Sequence, residues 1–335
     1  MNPPFLPLTL GDIFEKTFSL IGKTFFRNLF IAVIILLFPI ILMAIAMDAF
    51  YSSLADMQGS ILQGVSTPGL DMVLAILGPL VFFGCATIIF VLGILLAEIA
   101  VSIIVSQEIL SNPINFFDAL HDTFSMKCLY GIGQGILKYA ILIGGVIAAS
   151  IVMAILGAVS KLLMGIIAII GLLVLVPVFV YVFLKWYFAL TVVAVDDLTA
   201  IESLRKSWYL VEGHWWRTLG ILILLTILSQ FAITIVSLPI SFGSMWDFYK
   251  EYFTLLGKTG GNIDPQSLAQ LENSVGPGIA IGSGISALLS LLITPVFTVV
   301  MYYDLCAREN ADKISAQKPI IKHDISSEPI DLSSL

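Results

Sequence analysis

Six apolar runs limit what this chain can fold into. They cover residues 29–47, 72–105, 129–159, 162–188, 219–240 and 275–303, and each exceeds the roughly 18 residues needed to cross a bilayer as a helix. In lipid a backbone must satisfy its own hydrogen bonds, so apolar runs of this length predict spanning helices. Only Glu98, Lys138 and Lys185 interrupt them with charge. Charged residues make up 12% of the 335-residue chain against 59% hydrophobic, with mean hydropathy +1.02. A water-soluble domain carries about a quarter charged residues. The expected fold class is an all-α membrane protein with six transmembrane helices.

The net charge of −7 supplies no basic footprint for nucleic acid. Cys85, Cys128 and Cys306 lie far apart and form no C-x-x-C pair, which argues against a disulfide framework or a zinc site. The first apolar run begins only near residue 29 and lacks a small-residue cleavage site after a short core. It reads as a retained signal anchor.

Three polar stretches precede runs one, three and five. The most informative, residues 199–220, reads TAIESLRKSWYLVEGHWWRTLG. Thr199 with Glu202 is a capping-box start, and Ile201, Leu204, Trp208 and Val211 are predicted to share one helix face. Apolar on one side, basic on the other and rich in tryptophan, the stretch suits a helix lying in the membrane interface. Near the N-terminus, Thr9 with Asp12 opens a second such helix, with Leu10, Ile13, Phe14, Phe18 and Ile21 at helical spacing. Ser111-Asn112-Pro113 opens a third, with Phe116, Phe117, Leu120 and Phe124 on one face. Residues 48–71 and 241–275 are expected as loops, and Pro39 is expected to bend the first span.

Lysine and arginine set the orientation. Lys16, Lys23, Arg27, Lys127, Lys185, Arg205, Lys206, Arg217, Arg308 and Lys313 fall on one side; Lys161, Lys250 and Lys258 fall on the other. Both termini are therefore expected in the cytoplasm.

Two of the interfacial stretches align without a gap. Lys16 matches Lys206, Thr17 matches Ser207, Phe18 matches Trp208, and Leu20 matches Leu210. The pair Phe25-Phe26 then matches Trp215-Trp216, and Arg27 matches Arg217. In a weaker middle copy Asp118, Leu120, Thr123, Phe124 and Ser125 fall on Glu202, Leu204, Ser207, Trp208 and Tyr209. Either three parallel two-span repeats are present (about 9–110, 111–198 and 199–310), or interfacial helices have converged on one composition. The ungapped match favours repeats. The membrane domain is then 1–310, and the polar, serine-rich stretch 311–335 is expected as a disordered tail.

LRKSWYLVEGHWWRTLGILIL followed by PVFTVVMYYDLCAREN resembles the membrane-domain family named after glycerophosphoryl diester phosphodiesterases. The matching positions are Ser207, Trp208, Leu210, Gly213, Tyr302, Tyr303, Asp304 and Arg308. The FFRNLF segment is similar to uncharacterised YciC-like bacterial inner-membrane proteins. The resemblance implies a bacterial cytoplasmic membrane location and a link to lipid or glycerophosphodiester metabolism. It carries over no catalytic residues.

Glu98 and Lys138 sit about 12 and about 15 Å into adjacent spans from the same side, at 1.5 Å per residue. They read either as a functional intramembrane pair or as a structural one. Gly278, Gly282, Ser286 and Ser290 recur every fourth residue and read as a helix-packing stripe. Tyr302-Tyr303-Asp304 reads as an interfacial belt and helix stop, or as a dock for the interfacial helices. Lys16, Phe18, Arg27, Arg205, Lys206, Trp208, Trp215, Trp216 and Arg217 are candidate lipid contacts. With no recognisable acid–base or metal constellation, the sequence points to a non-catalytic protein without a cofactor. Its expected partner is membrane lipid or another membrane protein; the alternative is a transporter with a cavity between repeats.

Overall fold

The computed structural model describes residues 6–62, 70–159, 161–258 and 265–317. The first interfacial segment and the first span form one uninterrupted helix, α1 (Leu10–Leu62). Nothing in 21–28 breaks its hydrogen-bond ladder, and the helix continues through Pro39. Helix α2 (Leu70–Ile109) follows. The second interfacial segment is α3 (Phe116–Asp122), which turns through a π-helical kink at Thr123–Lys127 into α4 (Cys128–Val159). Then come α5 (Lys161–Lys185), α6 (Ala189–Asp196), α7 (Ala200–Val211), α8 (Trp215–Lys258) and α9 (Pro265–Gln317). Six helices among the described residues are long and apolar enough to cross a membrane.

Several boundaries differ from expectation. The presumed loop from residue 48 is helical to Leu62, and the one from 241 is helical to Lys258, with α9 resuming at Pro265. Polarity alone does not end a helix. A proline at the first helical position does begin one, as Pro265 shows. The Gly-Asn-Ile-Asp stretch before it (261–264) lies outside the described residues. Helix α9 also passes Ala311, where the tail was expected to begin; 318–335 lie outside the described residues. The sequence reading missed α6 altogether. This two-turn helix is buried at Ala189, Thr191, Val192, Val193 and Ala194, and Asp197 closes it in the left-handed conformation.

Helices α1, α2 and α9 form the centre. About half of the apolar windows of α2 (50%) and α9 (56%) is buried, against 6% for α4. Close approach comes from glycines facing rigid or branched side chains. A Cβ on Gly93 would lie 3.0 Å from the Pro39 ring, and one on Gly284 3.1 Å from Ile40. Gly284 is outside the predicted stripe. Of that stripe, Gly282 is buried and Ser286 and Ser290 are half-buried, while the surroundings of Gly278 lie outside the described residues.

The faces buried by α3 and α7 overlap the predicted ones only in part: Leu204 and Val211 are buried and Trp208, Phe116 and Leu120 half-buried, but the centre of each face is rotated. In α7 the inward positions are Ser203, Leu204, Ser207, Leu210 and Val211, whereas Ile201 is exposed. In α3 and the turn after it, Ala119 and Thr123 point inward while Phe117 and Phe124 are exposed. Small residues let these helices lie close against the spans; Phe117, Phe124 and Tyr209 are turned outward, while Phe116 and Trp208 are half-buried.

Candidate functional site

Three consecutive residues near the end of α9 join the molecule at its basic end. Successive side chains on a helix point about 100° apart, so neighbours in sequence address different partners. The Tyr302 hydroxyl donates to the Asp196 carboxylate at the end of α6. The Tyr303 hydroxyl meets Ser106 Oγ of α2 at 2.8 Å. Asp304 accepts the Leu8 N–H at 2.7 Å on Oδ1. On Oδ2 it accepts Arg217 Nη1 at 2.6 Å and Arg308 Nε at 3.1 Å. Both guanidinium groups also donate to the Leu8 carbonyl, at 3.0 and 2.6 Å. All three α9 side chains are fully buried. These contacts reach α6, α2, the segment before α1 and the first turn of α8, and the motif does not stop its helix, since α9 runs on to Gln317.

The neighbouring cations are engaged in the same way. Lys206 bridges to Asp196 at 2.7 Å. Lys127 bridges to Asp122 at 2.7 Å and Asp197 at 2.8 Å and donates to the Ala194 carbonyl at 3.1 Å. Arg27 pairs with Glu108. Lys185 is buried, donates to the Trp208 carbonyl at 3.3 Å, and lies 5.2 and 5.5 Å from the ring centroids of Trp208 and Tyr181. Its own carbonyl accepts Ser207 Oγ at 2.7 Å. Burying so many charges is tolerable only because each has a partner.

This divides the predicted lipid contacts. Arg27, Lys206 and Arg217 hold the protein together. Trp208 and Trp215 are half-buried, and Trp215 lies 5.9 Å from Tyr181 and 4.3 Å from Trp216 between ring centroids. Phe18, Arg205 and Trp216 face outward; Lys16 lies within the field of Asp12. Sequence reasoning missed the acidic half of the network: Asp196, Asp197, Asp122 and Glu108, together with Ser106 and Leu8. One signal for it existed, since these carboxylates border apolar runs on the lysine- and arginine-rich side, where unpaired acid would be out of place.

Glu98 and Lys138 do not form the expected ion pair. They lie within electrostatic reach but make no salt bridge, and Lys138 Nζ sits 4.6 Å above the Phe183 ring of α5 instead. An aromatic face attracts the ammonium without the long reach across to α2.

Two pockets flank Tyr209. One, of about 250 Å³, is lined by Trp186, Leu204, Arg205, Trp208 and Tyr209. The other, of about 240 Å³, has Glu212, Glu309 and Asp312 around His214 and Lys313. Among the described residues no group of three or more His, Cys, Asp or Glu is arranged to hold a metal ion.

The family model for a domain of unknown function, DUF7847, matches residues 18–305. The chain belongs to the DUF7847 family. The matched region ends one residue past Asp304, so the DUF7847 domain takes in four of the six candidate spans whole, the greater part of the first and last, and most of the network; Leu8 and Arg308 fall outside it. No curated protein and no solved structure matches the chain.

Proposed function

We propose that this DUF7847 protein is a non-catalytic, multi-pass protein of a bacterial cytoplasmic membrane, and that its basic end faces the cytoplasm and binds or organises lipid. One observation carries the reading: the basic end pairs Arg27, Lys127, Lys206, Arg217 and Arg308 internally and turns several large aromatics outward. Phe26 is 81% exposed and Trp216, its aligned counterpart, 77%. Phe18, Phe117, Phe124 and Tyr209 are exposed with them. Aromatic side chains at this level favour the headgroup boundary.

The proposed organisation is threefold, with α1, α3 and α7 as equivalent feet. Supporting it, Ile13, Ala119 and Ser203 occupy one aligned position and are all buried, as are Thr17, Thr123 and Ser207. Thr9 with Asp12 and Thr199 with Glu202 make the same cap at aligned positions, each hydroxyl donating to its carboxylate at 2.7 Å. The link to glycerophosphodiester metabolism rests on the motif residues alone.

Native mass spectrometry of the detergent-extracted protein tests the reading. Retention of a defined lipid class above its bulk share is expected; release of all lipid under conditions that keep the protein folded would refute it. A transporter is the second reading. Glu98 and Lys138, inside the spans and not bridged to each other, favour it. Solute flux in sealed vesicles that Glu98→Gln abolishes would establish transport in place of passive lipid binding.

A further inference from the structure

We infer that the pocket between the end of α5 and α7 is a headgroup site for the phosphodiester of an anionic phospholipid, with Arg205 as the phosphate ligand; this rests on the lipid-binding reading above. Arg205 differs from Arg27, Lys127, Lys185, Lys206, Arg217 and Arg308, each of which reaches a carboxylate or carbonyl. Among the described residues Arg205 makes no hydrogen bond or salt bridge. Its side chain lies within the field of Glu202, one turn earlier. A guanidinium offers a planar fork of donors that fits a phosphate with two parallel hydrogen bonds.

The walls are preformed. Trp186 and Trp208 meet at 54° with ring centroids 6.2 Å apart, making a corner. Trp208 is held by Lys185, whose ammonium lies 5.2 Å from its ring centroid and adds positive potential nearby. Ser207, beside Trp208 in sequence, fixes α7 to the end of α5 through the Lys185 carbonyl. No carboxylate lines this pocket, whereas three line the one across Tyr209, where the one lysine, Lys313, is already paired with Glu309. The chemistry therefore selects an anion here and disfavours one there.

Size and setting make the ligand a lipid. About 250 Å³ takes a phosphate and its small alcohol but not acyl chains. The chains have their own surface: residues 173–181 of α5 are exposed at every position and apolar throughout, leading to Trp186. A soluble phosphate would make no use of that surface.

The test uses the full chain in mixed micelles holding phosphatidylglycerol and phosphatidylcholine at equal mole fraction, with retained lipid read by native mass spectrometry. Wild type should keep phosphatidylglycerol preferentially. Arg205→Gln should lower its retention about tenfold, and Arg205→Lys should restore part of it. Because Arg205 is exposed, all three proteins should share one unfolding temperature, so loss of lipid is not loss of fold. Equal retention by wild type and Arg205→Gln overturns the site while leaving lipid binding intact. Absence of lipid from wild type overturns both. Equal retention of the two lipids overturns the anionic class. Displacement of the lipid by millimolar-range inorganic phosphate or glycerophosphate shows a soluble-phosphate site and overturns the lipid assignment.

Discussion

Asp304 is fully buried, and its partners come from distant parts of the chain: Leu8, Arg217 and Arg308. Replacing it with alanine removes the counter-charge of two guanidinium groups, which keep only the Leu8 carbonyl, and the acceptor of one backbone N–H. The expected loss is about 3–5 kcal/mol, the range for breaking a buried ion pair from one side. Thermal unfolding in detergent checks it; a shift no larger than that of an exposed-surface control would show the network to be idle. Glu202 gives a smaller, pH-dependent effect. Hydrogen bonds from the Thr199 hydroxyl and backbone N–H hold its carboxyl below the usual 4.5. A lowered folded value means the stabilisation is complete above about 4.5 and is lost as the pH falls through that lowered value. Wild type should therefore unfold at a higher temperature than Glu202→Gln at about pH 6, with the gap closing towards about pH 3. A gap that widened on acidification would contradict the cap.

At the level of elements, the three feet share buried positions but join their spans differently. Helix α1 runs straight through, α3 passes through a π-helical kink at Thr123–Lys127, and α7 breaks from α8 around Gly213 at φ +82°. A positive φ suits glycine, which has no Cβ to clash. The contact between α1 and α2 depends on Gly93 lying against Pro39. The proline ring cannot rotate out of the way as a flexible chain end can. Gly93→Val should cost about 1–3 kcal/mol through overpacking, measured as a lower unfolding temperature. Gly144→Val, where a Cβ meets nothing within 4 Å, should leave that temperature unchanged. The reverse ranking would mean that α1 and α2 are not closely packed at this level.

For the whole molecule, the proposed orientation makes a direct prediction. With native cysteines replaced, a membrane-impermeant maleimide should label Lys258→Cys in intact cells and label Ser125→Cys only after permeabilisation. Both positions are exposed, so accessibility reports sidedness. Labelling of both in intact cells would overturn the topology. The peripheral placement of α4 and α5 also belongs to this scale. Both are apolar enough to span, yet long stretches of each are exposed, and their neighbours at the basic end hold them through Lys127, Lys185 and Ser207.

Hydrophobicity is a sum along the chain, so the six apolar runs, the helical class and the segregation of lysine and arginine to one side could be read without coordinates. The cap at Thr199 was legible for the same reason, because its partners stand three residues apart. Helix ends were less so: α1 runs through Gly59 to Leu62 and α8 through Gly243 to Lys258, so neither polarity nor a single glycine ended them. What the tertiary structure alone decided is which charges are free. Lys206 and Arg205 are adjacent and chemically similar. Yet a 100° difference in direction gives one a bond to Asp196 and leaves the other beside two tryptophans. Likewise Lys138 rests on Phe183 without closing a salt bridge to Glu98, and Asp304 accepts from a residue nearly three hundred positions away in sequence. Such pairings depend on distances across the bundle, which no local pattern encodes.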